Sequence, residues 1–118
     1  MNRLLAQLLV VAACSGRADA QGAETWECQE GPSYWQQGRP VLVVATINDD
    51  QKTGSVRVAG TIHPTAYRVE GFNRRWDFGP ILNDSLRYVF LITPDGESAY
   101  YDFAFGTSPS QTFFCKRA

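Results

Sequence analysis

Two cysteines, Cys28 and Cys115, stand 87 positions apart and bracket nearly all of the foldable part of this 118-residue chain. A bond between them would close almost the whole domain into one covalent loop. On the loop-entropy account such a closure constrains the unfolded chain by roughly 4 to 5 kcal/mol, a large share of the net stability of a small domain. Pairing requires an oxidising compartment, because cytosolic thiols are held reduced.

The N-terminus points to that compartment. Arg3 precedes Leu4-Leu5-Ala6-Gln7-Leu8-Leu9-Val10-Val11-Ala12-Ala13, an apolar run far short of the about 20 residues a spanning helix needs. Two processing routes are open. Ala18-Asp19-Ala20 is an A-x-A site, which makes residues 1–20 a signal peptide and 21–118 a single β domain. Alternatively, Val11-Ala12-Ala13-Cys14 reads as a lipobox: residues 1–13 would be a lipoprotein signal, Cys14 the lipidated residue, and 14–25 a tether. Either route removes the third cysteine and leaves one pair. Release after Ala20 discards Arg3, Arg17 and Asp19 and takes the formal charge from −1 to −2. That balance excludes a general nucleic-acid binder, which needs a basic excess to neutralise phosphates.

Beyond residue 20 the pattern is period-two alternation broken by turn chemistry, and nothing keeps a helical period over three turns. Trp26 and Cys28 share one side of the first strand. Residues 41–47 follow Pro40 as an apolar, β-branched run and pair with 55–60 across the loop 48–54. Residues 66–71 alternate, with Tyr67 and Val69 expected inward. Residues 86–92 and 99–105 form a second hairpin around Pro94-Asp95-Gly96, which places Tyr101, Phe103 and Phe105 on one face. Residues 111–116 end the sheet, with Phe113 and Cys115 sharing a side. Tying the first strand to the last removes exposed edges, so the predicted fold is all-β: a small antiparallel barrel or barrel-like meander of about seven or eight strands. No internal repeat or low-complexity tract interrupts it.

No catalytic or metal signature rises clearly above an all-β scaffold. His63, the only histidine, precedes Pro64 and sits in extended backbone at a turn. No Gly-x-Ser-x-Gly elbow exists, and one histidine without a vicinal cysteine pair excludes the common zinc spacings. The loop 49–60 places Lys52 where a calcium cage wants an oxygen and Gly60 where it wants a bidentate Glu. Asp77 and Asp102 stand among aromatics and, with His63, are the groups a small hydrolase would use. No cofactor and no metal are expected.

Two segments depart from plain scaffolding. Phe72-Asn73-Arg74-Arg75-Trp76-Asp77-Phe78-Gly79 sets adjacent arginines beside aromatics, the composition of binding hot spots. The bland alternative is a strand with Trp76 and Phe78 in the core and Arg75 paired to Asp77. The Gly/Pro-bounded loop 31–39 carries Tyr34 and Trp35, which exposure would mark as contact residues.

The aromatic-x-Cys start, Trp26-Glu27-Cys28, with Phe114-Cys115-Lys116 on the last strand and hairpins between, resembles the layout of the membrane-bound and periplasmic inhibitors of c-type lysozyme over residues 26–116. The resemblance implies a small exported barrel. The inhibitory Ser-Gly and Tyr loop of that family is not found here, so no functional residue is carried over.

The expectation is a non-enzymatic binding module, exported to the bacterial envelope, periplasm or secreted space, with Arg74, Arg75, Trp76, Tyr34 and Trp35 as its surface. Its partner would be a protein or envelope ligand, with membrane contact only through a lipid at Cys14. Inhibition of a cell-wall hydrolase such as lysozyme, or a small hydrolase activity, are the alternatives.

Overall fold

The computed structural model describes residues 23–31 and 34–118, so the export segment and Cys14 lie outside the described residues. Among the described residues eight antiparallel strands run in sequence order: β1 (Glu24–Glu30), β2 (Val43–Ile47), β3 (Thr53–Val58), β4 (Thr61–Glu70), β5 (Asn73–Leu82), β6 (Ser85–Ile92), β7 (Glu97–Asp102) and β8 (Gln111–Arg117). Each pairs with the next, and β8 returns to β1, so the sheet is a closed barrel without a free edge.

Closure is covalent as well as hydrogen-bonded. Cys28 and Cys115 face each other in the β1–β8 register and are joined by a disulfide. Because strand side chains alternate, both sulfurs point inward with Trp26 and Phe113. The expected end-to-end staple is therefore part of the core.

That core is filled by the inward phase of every strand. Val43, Ala45 and Ile47 come from β2, Val56 from β3, Tyr67 from β4, Trp76 and Phe78 from β5, and Phe90 and Ile92 from β6. Trp76 is the centre: it contacts Tyr67 at 5.2 Å and Phe90 at 6.0 Å between ring centroids, and its indole N–H donates to the Thr46 carbonyl at 3.0 Å. Gly54 makes that contact possible. A Cβ there would lie 2.1 Å from the Thr46 oxygen and 2.9 Å from the Trp76 indole nitrogen, so only glycine lets β3 pass beside the ring. Gly79, at φ +89°, likewise lets the Tyr88 ring lie against the chain at the bulge between Phe78 and Ile81.

The strand directions define two ends. At the first, around Glu24, Asn73 and Arg117, a cluster of charge closes the lumen. Arg74 Nε donates to Glu24 at 2.5 Å, Arg117 reaches the other carboxylate oxygen at 3.4 Å, and the Trp26 indole donates at 2.5 Å. The Arg74 guanidinium also lies 4.9 Å from the Trp26 ring centroid. The second end carries residues 34–42 and the loops 59–60, 83–84 and 103–110.

Three sequence expectations need correction. The strand expected from residue 41 starts at Val43: Val41 and Leu42 are part-exposed, and the Leu42 N–H is used on the Cys28 carbonyl. Val69 is inward in phase but 62 % exposed, because it pairs with Arg74 beyond the last packed layer, Tyr67 with Trp76. The strand expected over 99–105 stops at Asp102, whose carboxylate accepts from the Ala104 N–H and starts a short 3-10 turn, Phe103–Phe105. The inward residue there is Tyr100. Tyr101 stacks on Phe103 at 5.8 Å, and Phe105 is 83 % exposed.

Candidate functional site

The segment 73–79 is a regular stretch of β5, and alternation separates its residues. Trp76 has no exposed surface, Arg74 is turned to the Glu24 cluster, and Arg75 lies on the outer wall. Arg75 bonds Asp77 at 3.0 Å through Nε and Glu70 at 3.1 Å through Nη1. The Asp77 hydrogen bond is the chief reason the Arg75 guanidinium is held more firmly protonated than usual. The expected exposed Arg74-Arg75-Trp76 surface is thus corrected: its aromatic member offers nothing to a partner, and its cations are already matched.

The second expected surface stands out from the barrel. Tyr34 is 59 % exposed, and Trp35 is half-buried with the Lys116 ammonium 4.3 Å from its ring centroid. Lys116 lies in β8, so Trp35 is anchored to the barrel by a cation–π contact. Below the loop is Gln29, an outward residue of β1 that is only 2 % exposed because the loop covers it. Its side-chain nitrogen donates to the carbonyls of Gln36 at 2.8 Å and Arg39 at 2.9 Å, and its oxygen accepts from the Gln36 N–H at 2.9 Å. One amide thus takes up three backbone groups of an otherwise irregular segment. Arg39 adds a bond from Nη1 to the Glu30 carbonyl at 3.2 Å.

Sequence reasoning missed Gln29. In alternation it reads as an ordinary wet residue, and only the folded-back loop makes it buried. The nearest sequence signal is its position two residues before a Gly-Pro break.

Beside the loop, the outer wall is hollowed. Leu91, Ala99 and Thr112 form one cross-strand row over β6, β7 and β8, and Gly31 continues it past the end of β1. The small side chains leave a groove of about 360 Å³, bordered by Tyr101 on one flank and by Thr93 and Glu97 on the other. Its lining mixes an aromatic face with hydroxyls and one carboxylate, a surface suited to orienting a ligand by a few polar contacts.

The groups expected of a hydrolase are placed apart. Asp77 sits on the outer wall against Arg75, and His63 stacks on Phe78 at 5.2 Å. Asp102, at the second end, is bonded by Arg87 at 2.8 Å; that hydrogen bond holds its carboxyl below the usual carboxylate range. Among the described residues no hydrogen bond or ion pair joins these three side chains, and no group of three or more His, Cys, Asp or Glu could hold a metal ion. Asp50, from the loop tested against a calcium cage, accepts from the N–H groups of Lys52 and Thr53 and closes the β2–β3 hairpin.

The class is therefore a disulfide-closed, eight-stranded antiparallel barrel with a latched aromatic loop beside an outer-wall groove. The sequence matches no protein-family model, and neither the curated proteins nor the solved structures contain a match.

Proposed function

We propose that this chain is a non-enzymatic binding module of the exported space, contacting its ligand through Tyr34, Trp35 and the adjoining groove. The observation that carries the reading is the Gln29 latch. A loop with an exposed aromatic would ordinarily lose conformational freedom on binding, at roughly 0.5–1.5 kcal/mol for each immobilised side chain. Here the backbone at Gln36 and Arg39, directly after Tyr34 and Trp35, is already held, so part of the loop's ordering cost is met during folding. Rigid aromatic area with little left to order is what binding hot spots provide.

The disulfide supports export, since such bonds persist in oxidising compartments. A hydrolase would draw Asp77, Asp102 and His63 into one cleft, whereas each has its own partner elsewhere. A narrower form, inhibition of a cell-wall hydrolase, rests on the resemblance of the layout of residues 26–116 to that of the c-type lysozyme inhibitors.

The test is affinity capture from a bacterial envelope extract, with the mature disulfide-bonded protein and its Tyr34→Ala/Trp35→Ala variant as parallel baits, alongside turnover by c-type lysozyme. A partner retained by the parent and lost by the variant supports the reading, and suppression of lysozyme turnover by the parent alone narrows it to the inhibitor. Equal retention by both baits, or none by either, defeats it.

A further inference from the structure

A second concavity has no place in that reading. The lumen is packed around Trp76, closed at the first end by the Glu24, Arg74 and Trp26 cluster and filled toward the second end by Phe78, Tyr88 and Tyr100, which leaves the flank of β2, β3 and β8 at that second end. There a hollow of about 430 Å³ opens, floored by Val43, Val58 and Phe113 and walled by Val41 and Leu42. The volume falls in the range of roughly 300–1,000 Å³ typical of small-molecule sites. Val41 is 39 % and Leu42 is 42 % exposed, although both are aliphatic and lie directly before a strand whose inward side chains are fully buried. Two wet aliphatic side chains beside an unfilled apolar hollow are costly unless something covers them.

Charge decides what that is. The side chains with polar heads in the lining are Arg57 and Gln111, and the Gln111 amide already donates to Glu30 at 3.0 Å. Arg74, Arg75, Arg87 and Arg117 are each paired to a carboxylate, whereas Arg57 makes no ion pair among the described residues. An apolar hollow with one uncompensated guanidinium at its wall complements a molecule with an apolar body and an anionic head.

We infer that the second end of the barrel binds a small amphipathic carboxylate, its aliphatic tail against Val41, Leu42, Val43, Val58 and Phe113 and its head on Arg57. This site is separate from the Tyr34–Trp35 loop and stands or falls independently of it.

Decanoate and decan-1-ol, both below their aggregation limits, are titrated into the disulfide-bonded protein at low salt, followed by calorimetry and by backbone chemical shifts. Decanoate is expected to bind saturably and to shift Leu42 and Val58. Arg57→Gln should weaken decanoate roughly three- to fivefold, as loss of a part-exposed charge contact does, and leave decanol unchanged. Leu42→Glu, at an exposed position whose only backbone role is kept, should abolish both. No saturable binding, shifts confined to other residues, or an Arg57→Gln variant equal to the parent would each overturn the inference. So would binding to anionic phospholipid vesicles in the absence of decanoate binding.

Discussion

Replacing Gln29 by alanine removes the side chain that makes most of the hydrogen bonds between the aromatic loop and the barrel, leaving the Lys116 contact to Trp35 and the Arg39 bond to Glu30. Three hydrogen bonds are lost, at 2.8, 2.9 and 2.9 Å. At a net value of about 1 kcal/mol each, the loop's closed state loses roughly 3 kcal/mol relative to an undocked one. Because about 1.4 kcal/mol is a factor of ten, the Gln36 amide, which donates to the Gln29 oxygen, should exchange with solvent about a hundredfold faster. Global stability should fall by less, since the loop can undock and rehydrate its carbonyls while the barrel stays closed. Amide hydrogen exchange by NMR reads both quantities in one experiment, with core amides such as Phe90 reporting the global term. A Gln36 amide whose protection changes less than threefold would refute the latch, and with it the preorganised surface. Protection lost equally at Gln36 and Phe90 would refute the separation of loop from barrel.

Two further perturbations probe the frame. Changing Cys28 and Cys115 together to serine should lower stability to urea by about 4–5 kcal/mol, from the 87-residue separation they close; a loss under about 1 kcal/mol would mean the hydrogen-bonded ladder alone suffices. Acidification should act through Glu24. Burial pushes its carboxyl up, but the bonds from Trp26 and Arg74 and the charges of Arg74 and Arg117 outweigh that and leave it below its ordinary 4.5. A depressed carboxylate contributes stability above its unfolded pKa and loses it as pH falls through the lower folded value. Glu24→Gln should therefore be less stable than the parent at pH 7, by about 1–2 kcal/mol, and approach it below pH 4. Urea midpoints at the two pH values measure this, and a constant difference between them would exclude the mechanism.

Much of the barrel was legible in the residues. Period-two alternation is a backbone property: each inward side chain must meet the core, so Trp26, Cys28, Val56 and Phe113 announced their side. Pro94-Asp95-Gly96 marked its turn because proline and glycine restrict φ locally, and Gly96 adopts φ +96°. Even the closure followed from covalent chemistry, since a lone cysteine pair on the first and last strands has one partner each. Errors arose where alternation continues past the packed layers. Val69 keeps the inward phase but has no layer above it, and Phe103 and Phe105 continue an apolar pattern after the Asp102 carboxylate has turned the chain.

The surface was less readable, for a physical reason. Composition shows that Arg74, Arg75 and Trp76 are neighbours in sequence, while a strand sends neighbours to opposite faces, so a tryptophan in the core and an arginine on the wall look like one cluster. The sequence alone determined the barrel, its staple and the presence of an unusual aromatic loop, because local periodicity and bond chemistry suffice for those. Only the tertiary structure decided that Gln29 is buried, that Arg74 and Arg75 are matched by carboxylates, and that a hollow opens beside Arg57 at the second end. Each of these depends on what lies across space from a residue, and strands distant in sequence supply that neighbour.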